Sequence, residues 1–363
     1  MRTFAKMIYK HNCLHFKGHI PCDPHKENGY HCDGCPAFVE IEKKILIIKL
    51  GAIGDVIRTT PLVTKYKELF PHAKFTWITL SPAILPKNEI HEILPLSIET
   101  VMYVENTKWD IAINLDKEKE ASALMAKIES TEKYGFTLKD GATVPIDAKA
   151  EHKYYTGLFD DVSKANTLNY CTEIFDICDL TYSGEKYLLD NHSDKGFSWP
   201  EIDSSKTVIG LNTGCGPRWT TRLWSIENWA NLAKILIAKG YQVVLLGGEQ
   251  EDERNTSIAA LSNAQYFGYF SLAKFINLID QMTLVVTQVT MGMHLTLGLQ
   301  KKIVLMNTIF NPHEFDLFNN GELIGPAKEC KCFYRGSCID GESCMSTIES
   351  AGISDAVDRV LAI

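Results

Sequence analysis

The sequence predicts an α/β protein built from two doubly wound halves, and three observations carry that prediction. Continuous apolar runs at 45–48, 243–246 and 303–306 are bounded by Gly or polar residues and alternate with segments of helical spacing, as strands buried on both faces of a parallel sheet do. The rhythm starts twice, at Lys44 and at Thr207, on either side of the polar stretch NHSDKGFSWPEIDSSK at 191–206, which reads as a linker. A chain of 363 residues also exceeds one ordinary core, so two domains are the prior. The organisation that follows is an extension at 1–43, a first half at 44–190, the linker at 191–206, a second half at 207–345 and a closing helical segment at 346–363.

Composition narrows the function class. The net charge of −8 argues against a nucleic-acid binder. No apolar stretch has the length of a membrane span, and MRTFAKMIYKHN lacks the apolar core of a signal peptide. A cytoplasmic protein is expected, with contact at a membrane surface left open. Eight of the eleven cysteines fall in two clusters, and in a reducing compartment such clusters point to metal or redox chemistry more than to disulfides.

The extension carries the first cluster, Cys13, Cys22, Cys32 and Cys35, with five histidines. Four thiolates close a tetrahedral zinc or iron site and supply folding energy to a segment with little core. The other reading is a loosely ordered arm with free thiols. The first half opens with KILIIKLGAIGDVIRTTP at 44–61: a buried strand, a Gly-rich turn and a helix start. Asp55 therefore stands where a strand's C-terminal end meets a helix N-terminus, the place where open α/β sheets bind ligands and where backbone N–H groups favour anions. Helix cap and general base are both consistent with that position. Strands are expected at 74–80, 99–104 and 109–115, a helix at 117–128 and an extended segment at 133–138. Residues 140–185 break the rhythm and read as an insertion at the mouth of the half, either acceptor-binding or a surface excursion. Within it, Cys171 and Cys178 read as small buried apolar residues.

In the second half, 207–211 is a strand running into the turn Gly214-Cys215-Gly216, whose backbone N–H groups suit a phosphate. Arg218 and Arg222 follow, matched in shape and charge to a diphosphate, or else simply facing solvent. A helix is expected at 226–238 and a strand at 242–246. Just beyond that strand, Glu251 is placed to hold a ribose hydroxyl or to suit a helix dipole. A helix at 271–281, a strand at 284–287, a turn and helix at 289–299 and a strand at 302–306 complete the rhythm. His294, among Met and Leu, reads as a packed core residue or a donor-site ligand. The second thiol cluster, Cys330, Cys332, Cys338 and Cys344, has C-x-C-x5-C-x5-C spacing, atypical for a zinc knuckle, and metal site and free thiols both stand. A last helix is expected at 354–361. No Asp-x-Asp pair occurs, so a nucleotide-sugar diphosphate would be neutralised by Arg, Lys and helix N-termini.

With these segments assembled, the chain resembles glycosyltransferase family 9, the heptosyltransferases of lipopolysaccharide core assembly. ILIIKLGAIGDVIRTTP is similar to that family's opening strand, Gly, Asp and helix. TGCGPRWTTRLWSIENWANLA is similar to its phosphate segment, and LLGGEQEDER and VTMGMHLTLGLQKK to its two nucleotide-sugar segments. The resemblance implies a GT-B fold of two facing Rossmann-like domains with the active-site cleft between them. It further implies an inverting transferase that needs no catalytic metal and uses a nucleotide-diphosphate sugar, commonly ADP-heptose, and an acceptor that is a saccharide or glycolipid. It makes Asp55 the general base and assigns the donor site to Thr213, Gly214, Cys215, Gly216, Arg218, Arg222, Glu251, Thr290, Met291, Gly292 and His294, with Arg222 standing for a family Lys. Where the family reads Asp-Thr-Gly before that His, this chain has Val289-Thr290-Met291 and no carboxylate. A GT-B nucleotide-sugar epimerase and a non-catalytic GT-B scaffold are the competing readings.

Overall fold

Strand β1 (Lys44–Ile48) lies at the centre of the first sheet, and its residues 45–48 have no solvent exposure. The computed structural model describes residues 7–216, 221–328, 330–339, 341 and 343–363. After β1 come β2 (Lys74–Ile78), β3 (Glu92–Leu94), β4 (Lys108–Asn114), β5 (Glu129–Lys139) and β6 (Ala142–Pro145). Their order in the sheet is β3-β2-β1-β4-β5-β6, parallel throughout except for the antiparallel β5–β6 hairpin. The register places Ile45 beside Phe75 and Ile111, and Ile47 beside Trp77 and Ile113. With helices covering both faces of such a sheet, the central strand has no polar side, which explains its unbroken apolar run.

The second half repeats the plan with β7 (Val208–Asn212), β8 (Gln242–Leu246), β9 (Leu284–Gln288), β10 (Lys302–Met306) and β11 (Gly321–Ile324), all parallel in the order β11-β10-β9-β7-β8. In each sheet the winding reverses once: between β1 and β4 in the first, between β7 and β9 in the second. A crevice opens at the strand C-termini wherever winding reverses. Asp55 follows β1 and Asp116 follows β4; the turn at 213–216 follows β7 and Thr290 follows β9.

Most expected elements are present, and the helix Ile226–Ala238 has the expected bounds, with the Ser225 hydroxyl accepting from the Asn228 N–H at 3.0 Å. One expected strand is corrected. Residues 99–104 lie in a helix, Ile98–Glu105, because Ser97 caps it by accepting from the Thr100 N–H. Ile98 and Met102 point outward while Val104 is buried, and so short an apolar run has no period of its own that separates helix from strand. The edge strands β3 and β11, never fully buried, have no apolar run to announce them. The closing helix is longer than expected, Ser350–Ala362. The 140–185 region holds the rest of the hairpin and three helices, Glu151–Leu158, Asp160–Ala165 and Tyr170–Ile177. In the last of these Cys171 is buried, its thiol pushed up to about 12 by that burial; Cys178, just beyond the helix, is buried as well.

The halves meet along a continuous apolar seam that includes Ile57, Tyr187, Met293 and Leu297. Residues 187–190 stitch it. The Leu188 N–H donates to the Thr60 hydroxyl at 2.7 Å, and the Gln300 amide donates to the Tyr187 carbonyl at 3.1 Å. Among the described residues, no helix is long and apolar enough to cross a membrane.

Candidate active site

The helix Ile53–Ile57 begins at Ala52, not at Asp55, and no side chain caps it. The Asp55 carboxylate instead pairs with Arg58, Oδ1 to Nη2 at 2.7 Å, and its side chain keeps 35% exposure. It faces two cavities. One is a cleft of about 550 Å³ between the halves, lined by Gly54, Asp55 and Arg58 on one side and by Arg222, Thr290, His294 and Glu314 on the other. The second, about 220 Å³, lies within the first half and includes Lys49, Asp116, Lys153 and Tyr170. A carboxylate shared by both cavities can reach a group bound on either side.

Charges around Asp55 come from both halves. Burial alone would push its carboxyl up, but the Arg58 guanidinium and then the Lys49 ammonium outweigh that and bring it to about 2. Lys49 is itself buried and bonded to Asp116, which also accepts from the Leu50 N–H. Arg58 lies flat on the Tyr170 ring, 3.6 Å from its centroid, and reaches Glu314 of the second half at 2.8 Å. His294 is held neutral, its imidazole brought down to about 3 by burial and by Arg58. Its Nδ1 is buried without a hydrogen-bond partner. The imidazole rests on Gly54, where a Cβ would collide with it. Gly54 is thus one position at which the second half's helix Met291–Gly298 packs against the first half.

The remaining donor-site residues form a third cavity of about 330 Å³. Gly214, Cys215 and Gly216 line one wall, Glu251 another, and Thr290, Met291 and Gly292 a third. Glu251 accepts from the Gly248 N–H at 2.9 Å, and side chains at Gly214 or Gly247 would strike it. Thr290 caps the helix Met291–Gly298, accepting from the Gly292 N–H at 3.1 Å. Arg222 lines both this cavity and the cleft, but its guanidinium is engaged: it donates to the carbonyls of Cys215, at 2.8 Å, and of Val289. It therefore fastens the loop after β7 to the loop after β9. Thr213 is fully buried behind the wall, bonded to Asn255. Arg218 lies outside the described residues.

Three polar residues of the cleft were not anticipated from the sequence. Arg58 carried a signal, since a cation three residues after an acid on a helix faces it. Glu314, in the 3₁₀ turn Pro312–Glu314, and Tyr334 carried none.

The two thiol clusters fare differently. The N-terminal arm packs at the N-terminal ends of the first sheet's central strands, the opposite end from Asp55, around a cavity of about 650 Å³ lined by His11, Cys13, His15, Lys44 and Lys74. Among the described residues the group of three donors within 4.8 Å of one another is Asp190, His192 and Asp194, not a set of N-terminal cysteines. In the C-terminal loop, Cys332 and Cys338 bring their sulfurs to 3.6 Å, and the Ile339 N–H donates to Cys332 Sγ at 3.2 Å. Cys344 is pushed up to about 12 by burial, by a bond to Cys330 and by the other thiols. Neither quartet forms such a three-donor group among the described residues; the C-terminal one shows a close pair of sulfurs.

Residues 102–332 match the model of glycosyltransferase family 9 (heptosyltransferase). The chain is 21% identical over 301 residues to the lipopolysaccharide core heptosyltransferase OpsX of Haemophilus influenzae, covering 78% of this chain and 84% of that protein. The crystal structure of the family 9 glycosyl transferase from Veillonella parvula superposes with a TM-score of 0.65 at 18% identity, over 89% of this chain and 98% of that one. E. coli heptosyltransferase WaaC with ADP-2-deoxy-2-fluoro heptose superposes with a TM-score of 0.59 at 14% identity, over 87% and 99%. Two facing sheets with a cleft between them are the GT-B fold expected from the sequence.

Proposed function

Since the chain belongs to glycosyltransferase family 9 and is a glycosyltransferase, we propose that it transfers heptose from ADP-heptose to a lipopolysaccharide core saccharide, with inversion and with Asp55 as general base. The observation that carries this reading is the position of the Asp55 carboxylate, shared between a cavity of the first half and the cleft that holds Thr290 and His294. An acceptor hydroxyl in the first half attacks the anomeric carbon. Its proton passes to Asp55, the new C–O bond forms, and the bond to the diphosphate breaks with its electron pair leaving on ADP. A carboxylate near 2 is a weak base, but it is fully ionised at neutral pH. The acceptor oxygen becomes strongly acidic only as it bonds to carbon, so a late proton transfer suits it.

On the donor side, the Gly214–Gly216 N–H groups and the start of the helix Met291–Gly298 would neutralise the leaving diphosphate. Arg222 would hold their two loops together, and Glu251 would take a ribose hydroxyl. Neutral His294 would contact the donor as a hydrogen-bonding group and not as a cation. No metal is assigned to the reacting centre. Exposed Tyr155, Leu158 and Phe159 adjoin the acceptor side and suit a glycolipid presented at the cytoplasmic membrane face.

A thermal-shift panel of ADP, UDP, GDP, CDP and dTDP tests the donor. At 100 times its Kd a ligand adds about 2.7 kcal/mol to the native state. Selective stabilisation by ADP is the expected result. Selectivity for another nucleotide would discard ADP-heptose, and no shift with any of them would favour the scaffold.

A structural zinc or iron ion is proposed for the C-terminal quartet, supported by the sulfur spacing and the N–H···S bond, and for the N-terminal quartet on its sequence spacing alone. When bound, the ion would hold thiolates together and fix the loop. Replacing Cys332 and Cys338 by Ser should remove one equivalent of metal per chain by elemental analysis, and replacing Cys32 and Cys35 another. Metal content equal to the parent's in either variant would reject that site.

A further inference from the structure

The cleft contains a line of polar contacts that the transfer reaction, as described so far, leaves unused. The Tyr334 hydroxyl donates to Glu314 Oε2 at 3.0 Å, Glu314 Oε1 takes Arg58 Nη1 at 2.8 Å, and Arg58 Nη2 meets Asp55 Oδ1 at 2.7 Å. Tyr334 and Glu314 belong to the second half, Arg58 and Asp55 to the first. We propose that Glu314 and Tyr334 are positioning residues for the base, holding Asp55 through Arg58 in its working orientation when the two halves meet. This rests on the reading of Asp55 as general base.

Three features argue for a purpose beyond packing. The first is charge. Arg58 is largely buried, with 14% of its side chain exposed. When Asp55 accepts the acceptor's proton it becomes neutral and no longer balances that guanidinium. A buried cation losing its partner is costly, and that cost would fall on the transfer step. Glu314 remains ionised and keeps Arg58 balanced while Asp55 changes charge. The second is orientation. Arg58 is gripped on three sides, by Asp55, by Glu314 and by the face of Tyr170. Glu314 in turn has both oxygens engaged, which holds Arg58 where it meets Asp55 Oδ1. The third is the segment itself. Asn311 caps the turn that carries Glu314, and its amide reaches the carbonyls of Ser163 and Asn166 in the first half at 2.8 and 2.7 Å. Residues 311–314 are thus a strap from one half onto the other. Tyr334 is set by its own N–H to the Ile309 carbonyl at 3.0 Å and by its packing on Phe310.

The test uses the full chain with ADP-heptose and heptose-free lipopolysaccharide core. Glu314→Gln keeps size and loses charge. It should lower kcat by roughly 10- to 100-fold, with the donor KM and the Kd for ADP within about twofold of the parent. Placed on Asp55→Asn, it should cost no further activity, because the base it serves is gone. A kcat within twofold of the parent, or the same fractional loss in both backgrounds, would overturn the proposal. Should Glu314→Gln fail to fold, Tyr334→Phe carries the test: a severalfold lower kcat at unchanged ADP affinity is expected, and an unchanged kcat overturns it. Failure of the underlying reading looks different, since Asp55→Asn would then turn over like the parent.

Discussion

Asp55→Asn is expected to lower turnover by about 10²- to 10⁴-fold and to leave ADP binding unchanged. Asparagine preserves the size of the side chain and an oxygen for Arg58, but it cannot take a proton. The cavity that contains Gly214–Gly216 and Glu251 does not include Asp55, so the nucleotide keeps its contacts. Single-turnover transfer from ADP-heptose, with calorimetry of ADP, measures the two effects separately. Parent-like turnover would remove Asp55 from the mechanism. The pH dependence has a definite sign. The working form is the carboxylate, and with its carboxyl brought to about 2 that form persists throughout pH 4–8. An activity limb inside this window would then belong to a group other than Asp55.

Arg58→Ala should be the most destabilising of the changes in the cleft, at about 3–5 kcal/mol. It strands two carboxylates, one of them largely buried Glu314. For Glu314, burial alone would push the carboxyl up, and Arg58 followed by Lys153 brings it below the ordinary glutamate range. A carboxyl lowered by folding contributes stability above its unfolded pKa, and that contribution is lost as pH falls through the folded value. Without Arg58 burial prevails, and the ionised form becomes a liability at neutral pH that protonation relieves. The gap in unfolding free energy between parent and variant should be widest near pH 7 and should narrow toward pH 4. Urea midpoints at the two values decide it: a gap that is constant or grows in acid would show that Arg58 acts through packing alone.

The parts of the site that lie next to a strand end were legible in the sequence. Ile45 to Ile48 sit in the centre of the sheet, where both faces are apolar, and the Gly-rich turn after them locates Asp55 without any long-range information. The same logic located Glu251 and His294. What escaped was whatever depends on the meeting of the halves. Glu314 is 256 residues from Arg58 in the chain and stands in a short 3₁₀ turn with no periodic signal. Arg222 could be read as a cation near phosphate, but its bonds to Cys215 and Val289 depend on how two loops meet. Residues 99–104 were misread for a local reason: the Ser97 cap lies just outside an apolar run that suits either helix or strand. The thiol clusters were visible as spacings, and the sulfurs that approach one another belong to the C-terminal cluster, whose spacing is atypical for a zinc knuckle.

The contact between Gly54 and His294 bears on how this protein can be recombined with its relatives. The missing side chain at 54 is the clearance that the imidazole occupies, so the two positions behave as one lock split between the two halves. A chimera that takes its first half from one parent and its second from another inherits the two sides of that lock independently. A donor parent with any side chain at the position of Gly54 would wedge the hybrid open, however well each piece folds. Crossover points for exchanging donor specificity should therefore move residues 52–58 together with the second half, so that both sides of the contact come from one parent and the clearance is preserved.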